Sequence, residues 1–370
     1  MLPEGFIKKL DKTALFAMAS LVCAGLLVLY TSSSAQGVEG RGLFFFYHQL
    51  IWLGIAVAVG VLLMALDYRI WARISLIAYI ANIALLVALL IIGKATRGAE
   101  SWFSVGLFNV QPSEAAKVLF IITFATFLAD SRDSLNSNRK LGLAALQFAA
   151  PFGLIVLQPD MGTALVYAAL FFGMLFVAGM DSLKMLVSGA ALVSAGVIAA
   201  PVFIKGYQWE RLTAFLNPSQ DIAGAGWQLH QSIVAIGSGG LTGRGFFNGT
   251  QAALGYLPEA HTDFIFSAFC EQTGLIGGTA LIFVICLLLY RIMRIALSAE
   301  DLFATYIAAG VFCMIAFETA VNLGMSVGLL PITGLPLPFV SYGGSSLITH
   351  FAAMGLVFNI NIRRKKITFE

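Results

Sequence analysis

The run from Ile74 to Ile92, ISLIAYIANIALLVALLII, decides the fold. It holds no acid and no base, and it is as long as the roughly 20 apolar residues that a helix needs to cross a hydrocarbon core. Nine further runs read the same way, so ten candidate spans fall at 14–32, 46–66, 74–92, 114–130, 142–158, 163–180, 182–203, 264–290, 302–323 and 342–362. Of the 370 residues, 59% are hydrophobic and only 11% are charged. With a mean hydropathy of +0.88, the chain has too little polar surface for a water-soluble globule of this size. The expected architecture is an all-α polytopic membrane protein of about ten transmembrane helices. The first run follows Lys8, Lys9 and Lys12 and precedes small residues, as a signal peptide would. Its apolar core is longer than a cleaved signal's, and nine spans follow, so it reads as a retained helix.

Ten spans put both termini on one side, and the basic residues say which side. One set of alternate loops carries Lys8, Lys9, Lys12, Arg69, Arg73, Arg132, Arg139, Lys140, Lys184, Arg291, Arg294, Arg363, Arg364, Lys365 and Lys366. The other carries only Arg41, Lys94, Arg97, Lys205, Arg211 and Arg244. The asymmetry predicts cytoplasmic termini, with Lys117 alone left inside a span. The outward connections are then 33–45, 93–113, 158–162, 204–263 and 324–341. The large extracytoplasmic loop 204–263, between spans 7 and 8, has room for more structure, including a short amphipathic helix from Gln228 to Ile236. No fixed-period repeat or low-complexity segment divides the chain, so 1–370 reads as a single domain. The four cysteines, Cys23, Cys270, Cys286 and Cys313, sit in apolar runs without metal-ligand spacing, which points to packing.

Ionisable groups are costly near hydrocarbon, so their gathering at the outward face points to a polar task there. Gln111-Pro112-Ser113-Glu114-Ala115-Ala116-Lys117 opens the fourth span. Ser113 can cap free amides, Glu114 can complement the helix dipole, and Lys117 can pair with Glu114 one turn away. Gln158-Pro159-Asp160-Met161-Gly162-Thr163 is a tight turn in which Asp160 can cap the next helix. Arg211 lies among aromatics, Tyr207 and Trp209, which suit an interfacial anchor.

Gly237-Ser238-Gly239-Gly240-Leu241-Thr242-Gly243-Arg244-Gly245 is dense in glycine but fits neither nucleotide fingerprint, so a nucleotide site is rejected. It reads either as a turn-rich loop or as backbone amides and Arg244 able to meet an anion. Leu257-Pro258-Glu259-Ala260-His261-Thr262-Asp263-Phe264 enters the eighth span. Thr262 or Asp263 can cap that helix. A histidine and two carboxylates at a wet-dry boundary also suit general-base chemistry. Glu271, about 12 Å deeper by helix rise, reads as a supporting acid. Glu318 in the ninth span has no assigned role. The proline-rich stretch 330–346, holding Ser341, suits a re-entrant wall of a site.

Taken together these motifs resemble the SEDS family of bacterial shape, elongation, division and sporulation proteins. The likeness runs over nearly the whole chain: QPSE..K at 111–117, QPD.GT at 158–163, LPEAHTDFIF at 257–266 and LPLPFVSYGGSS at 335–346, in family order. Gly237–Gly240 and Gly249-Thr250-Gln251 resemble the rod-elongation branch more than the division branch. Serine stands at 101 where many relatives carry arginine, and Arg97 is the nearest basic substitute.

The resemblance implies a peptidoglycan glycosyltransferase of the bacterial inner membrane, with its active site facing the periplasm. It would polymerise lipid II, an undecaprenyl-pyrophosphate-linked disaccharide-pentapeptide, for elongation and cell shape. It implies a class B penicillin-binding protein as partner, with other elongation-complex proteins and membrane lipid but no nucleic acid. Asp263 matches the family's essential aspartate and is the expected base. Glu114, Lys117, Asp160, Arg211, Arg244, His261 and Ser341 are expected at the substrate, with Lys117, Arg211 and Arg244 as cations for the leaving pyrophosphate. No cofactor is implied with certainty; a divalent cation, Mg or Mn, suits the pyrophosphate, but no ligand set stands out. The alternative is a lipid II flippase, which would put charges near the midplane of repeated halves.

Overall fold

The computed structural model describes residues 9–35, 43–96, 99–105, 108–203, 206–216, 224–253 and 255–364. Ten apolar helices follow the ten runs closely. They are α1 (Lys12–Ala35), α2 (Phe44–Ala65), α4 (Ser75–Ile92), α5 (Pro112–Asp130), α6 (Asn138–Leu157), α7 (Met161–Val177), α8 (Ser182–Phe203), α12 (Ile265–Leu297), α13 (Leu302–Ser326) and α14 (Gly344–Arg363). Eight of these are long and apolar enough to cross a membrane; α7 and the Ser182–Ile198 part of α8 are shorter apolar stretches. Short helices complete the set: α3 (Arg69–Arg73) between α2 and α4, then α9 (Gly206–Leu216), α10 (Ala225–Ser238) and α11 (Thr250–Ala253) between α8 and α12.

Within the apolar stretches of α5, α13 and α14, 72%, 67% and 89% of residues are buried, against 22% in α2, α4 and α6. Those three helices are therefore the centre of the bundle, and the others turn large apolar side chains outward to lipid. Polar side chains set the helix starts: Ser137 accepts from Lys140 N at α6, and Asp301 from Ala304 N at α13. Asp11 accepts from Ala14 N and also takes Arg291 Nε at 2.9 Å, tying α1 to α12. The four cysteines are free thiols.

The outward connection 93–113 holds secondary structure that the hydropathy pattern does not reveal. Strands β1 (Lys94–Thr96), β2 (Ala99–Val105) and β3 (Phe108–Val110) form a small antiparallel meander. Its register pairs Phe103 with Val110 and Val105 with Phe108. The amphipathic helix expected at 228–236 is α10; its Leu229, Ser232 and Ala235 are buried, so it packs inward. Of the orienting charges, Lys8, Arg41, Arg97, Lys205, Lys365 and Lys366 lie outside the described residues.

The glycine-rich run has a structural task. Helix α12 breaks at Gly274, where φ is +70° and ψ −168°, leaving carbonyls before the break and amides after it without helical partners. The loop at 240–245 fills that gap. Arg244 N and Gly245 N donate to Glu271 O and Gln272 O, while Leu275 N and Ile276 N donate to Gly240 O and Leu241 O. The backbones touch so closely that a Cβ at Gly243 would stand 2.1 Å from Gln272 O, and one at Gly274 would stand 2.3 Å from Gly243 N. Two of the amides that could have met an anion, those of Arg244 and Gly245, are thus committed to α12.

Candidate active site

A cavity of about 400 Å³ opens where the start of α5, the α6–α7 turn, the start of α12 and the start of α14 converge. Three acids line it, Glu114, Asp160 and Asp263, together with one cation among the described residues, Arg211. The proline-rich segment forms one wall through Pro331, Thr333, Gly334 and Pro336. It has no helical structure, and it buries Ile332, Leu335, Leu337, Phe339 and Val340 in the protein. The approach is close: a Cβ at Gly25 of α1 would stand 2.2 Å from Val340 O.

Asp263 does not cap α12, and neither does Thr262, because the helix starts at Phe264 without a side-chain cap. The backbone that carries Asp263 is instead gripped at three successive carbonyls. Tyr342 N donates to His261 O at 2.9 Å, Ser341 Oγ to Thr262 O at 2.7 Å, and Asn322 Nδ2 to Asp263 O at 2.9 Å. Arg211 Nη1 and Asp263 Oδ2 both approach Gly334, each 3.6 Å from the position of a Cβ there. Arg211 also lies over the Tyr207 ring and donates to Ile332 O. Tyr207 donates its hydroxyl to Pro159 O at 2.8 Å. Burial pushes that phenol's pKa up and the Arg211 guanidinium pulls it back down, so the hydroxyl stays a donor.

Asp160 both caps α7, accepting from Thr163 N at 3.0 Å and Thr163 Oγ1 at 2.8 Å, and lines the cavity. Gln111 Nε2 donates to its Oδ2, and Gln111 N donates to Ser345 Oγ, so the α5 start is tied to both neighbouring helix starts. Glu114 holds Lys117, Oε1 to Nζ 2.9 Å, as an i,i+3 pair. Ser113 caps nothing; its Oγ is buried without a hydrogen-bond partner among the described residues.

Several expectations need correction. Lys117 does not face the cavity: it is fully buried, and Glu318 Oε1 holds its ammonium from the other side at 2.5 Å. An ion this deep is tolerated only because two carboxylates pair with it. Arg244 lies away from the cavity, donating to Ser238 O and Thr250 Oγ1 beside the α12 break. His261 stacks on Phe45 at 4.3 Å between centroids, behind the cavity wall. Ser341 supports the wall, accepting from Leu337 N while it donates to Thr262 O. Arg97 and the side chain of Ser101 lie outside the described residues. Glu271, read as a supporting acid, accepts from Thr250 N and Gln251 N and starts α11.

The sequence reading missed His350, Asn322 and the pairing of Glu318. His350 Nε2 meets Glu318 Oε2 at 2.6 Å, with both side chains buried. The available signal was an ionisable or amide side chain inside an otherwise apolar span.

A bundle of apolar helices with an acid-lined cavity at one end defines a polytopic membrane protein built to hold a polar group against the bilayer. The chain belongs to the FtsW/RodA/SpoVE family, the SEDS proteins, whose family model, described as "Cell cycle protein", matches residues 12–366. It is 37% identical to stage V sporulation protein E of Bacillus subtilis, over 92% of this chain and 94% of that protein. It is 34% identical to peptidoglycan glycosyltransferase MrdB of Escherichia coli K12, over 97% and 95%. Among solved structures it resembles a chain of a peptidoglycan synthase complex that coordinates polymerization and crosslinking, with TM-score 0.81 and 31% identity over 95% and 97% of the two chains. It also resembles Thermus thermophilus rod shape determining protein RodA, with TM-score 0.71 and 29% identity over 96% and 98%.

Proposed function

We propose that this chain is a peptidoglycan glycosyltransferase that polymerises lipid II into glycan strands, at a cavity on the outer side of the bacterial inner membrane. Its family membership supports the reaction class. The observation that carries the reading is Asp263 Oδ2 and Arg211 Nη1 both 3.6 Å from the Cβ position of Gly334 in one cavity, a base and a cation at the same wall. Converting an α-linked donor into a β-1,4 bond takes one inversion, so no covalent enzyme intermediate is needed. Asp263 accepts the proton of the acceptor 4-hydroxyl as that oxygen bonds to the donor anomeric carbon. The bond from that carbon to the pyrophosphate oxygen breaks, and Arg211 offsets the charge that develops on the leaving group.

Among the described residues no three His, Cys, Asp or Glu side chains converge on a metal position. A divalent cation that arrives with the pyrophosphate would suit the leaving group. The Gly237–Gly240 run and the Gly249-Thr250-Gln251 stretch support work in elongation rather than division. The peptidoglycan synthase complex among its likenesses supports a class B penicillin-binding protein as partner.

The flippase alternative wants charges near the midplane. By helix rise, Lys117, Glu318 and His350 lie about 8 to 12 Å from the helix ends nearest the cavity, in the outer part of the bundle. The test is the purified protein with its penicillin-binding partner and labelled lipid II. Glycan ladders that disappear in Asp263→Ala are expected. Ladders that persist refute Asp263 as the base, and precursor translocation in liposomes without ladders refutes the polymerase reading.

A further inference from the structure

Five side chains form a continuous chain that leaves the cavity at Glu114 and returns to it at Ser346. Glu114 Oε1 meets Lys117 Nζ at 2.9 Å, Lys117 Nζ meets Glu318 Oε1 at 2.5 Å, Glu318 Oε2 meets His350 Nε2 at 2.6 Å, and His350 Nδ1 meets Ser346 Oγ at 3.2 Å. The middle three are fully buried, and the two ends both line the cavity. The spacing comes from helix periodicity: 114 and 117 on α5, 346 and 350 on α14, with Glu318 of α13 between them.

The division of labour along the chain is uneven. Glu318 uses both oxygens inside the protein, one for the ammonium and one for the imidazole. Glu114 uses only Oε1, and its Oε2 is buried with no hydrogen-bond partner among the described residues. A buried carboxylate oxygen without a donor is costly, so a fold that keeps one on a residue lining a cavity gains when a ligand supplies the donor. His350 is what keeps Glu318 turned toward Lys117. Without it, Glu318 loses its anchor and the ammonium is free to draw on both oxygens of Glu114.

We propose that Glu114 Oε2 is the acceptor for an O–H or N–H of the substrate, a sugar hydroxyl or acetamido group, and that His350 is a positioning residue that reserves it by acting through Glu318 and Lys117. This rests on the cavity being the substrate site. It assigns Lys117 a role inside the protein, in place of contact with the pyrophosphate.

The test is equilibrium binding of full-length protein to lipid II whose acceptor 4-hydroxyl is capped, so that no turnover enters. Glu114→Gln and His350→Ala should each weaken binding about 10-fold, and the double variant should stay near 10-fold rather than reach about 100-fold, because both act on one contact. His350→Gln, whose amide can still donate to Glu318, should bind within about threefold of wild type. If His350→Ala does not fold, Glu318→Gln takes its place with the same expectations. Wild-type binding by His350→Ala, or additive losses in the double variant, overturns the proposal, as does wild-type protein that binds none of this substrate. Wild-type protein that binds it but makes no strands from uncapped lipid II counts against the polymerase reading alone.

Discussion

Asn322 Nδ2 donates to Asp263 O at 2.9 Å and to Leu335 O at 2.8 Å, so one fully buried amide on α13 fastens the start of α12 to the proline-rich wall. The two backbones it joins carry Asp263 and the Gly334 wall of the cavity. Replacing Asn322 by Ala leaves two carbonyls without that donor and loosens Asp263 relative to Arg211. Orientation losses of this kind cost about 10- to 100-fold in rate, and unpaired buried carbonyls cost about 1–3 kcal/mol each. Asn322→Ala should therefore lower both glycan synthesis and thermal stability; a variant with wild-type ladders and melting temperature refutes the grip.

The glycine positions in and around the plugged α12 break separate by what a methyl group would meet. Gly243 and Gly274 have φ of +83° and +70°, and a Cβ at either would collide with backbone. Gly237, on α10, has nothing within 4 Å of such a Cβ. Gly243→Ala and Gly274→Ala should lower the unfolding temperature sharply, because strain of this kind costs about 1–3 kcal/mol before the clash is counted. Gly237→Ala should be neutral or stabilising by about 0.5–1 kcal/mol. Thermal unfolding in detergent checks all three, and equal losses across the set would show that the loop does not plug the helix.

Much of the fold could be read from the chain because hydrocarbon leaves few options. The runs at 74–92, 114–130 and 302–323 became α4, α5 and α13 with ends shifted by a few residues. The β-meander at 94–110 was hidden because short strands in a polar connection leave no hydropathy signal. The acids at 114, 160 and 263 meet as their motifs suggested. Lys117 and Arg244 could not be resolved from the sequence, since a basic residue near a helix end reads the same whether it faces a cavity or a partner. Glu318 is close to Lys117 only in space, and the bond from Arg244 to Thr250, six residues on, depends on how the glycine-rich loop folds. His350 escaped for the same reason: its pairing with Glu318 spans two helices and fits no local motif.

At the opposite end of the bundle, the Tyr68 hydroxyl donates to Asp301 Oδ2 at 2.6 Å, and Asp301 in turn caps α13. Burial, reinforced by the Asp301 hydrogen bond, raises the Tyr68 pKa above its ordinary value near 10. The neutral phenol is therefore favoured by folding. Its contribution is complete below the unfolded pKa and is lost as pH rises from about 10 through the raised folded value. Tyr68→Phe should lower stability at neutral pH by about 1 kcal/mol and flatten the alkaline limb of a melting-temperature profile. An unchanged limb would mean that another group governs alkaline unfolding.

Arg211 and Arg244 offer the sharpest separation between the cavity and its surroundings. Both were candidates for the leaving pyrophosphate on sequence grounds, yet only Arg211 lines the cavity, at Gly334 with Asp263. Arg244 is committed to Ser238 O and Thr250 Oγ1 beside the α12 break. Removing a cation that stabilises developing charge costs about 100- to 1,000-fold in rate, so Arg211→Ala should nearly abolish ladder formation. Arg211→Lys should recover only part of it, because a point charge lacks the planar fork that matches two phosphate oxygens. Arg244→Ala should lose two hydrogen bonds, about 1–2 kcal/mol of stability in all, and keep most of the polymerisation rate at temperatures where it stays folded. Initial rates with labelled lipid II, read beside unfolding curves, decide it. If the activity loss follows Arg244 instead, the leaving group departs toward the plugged helix and the Gly334 wall is not where the charge is met.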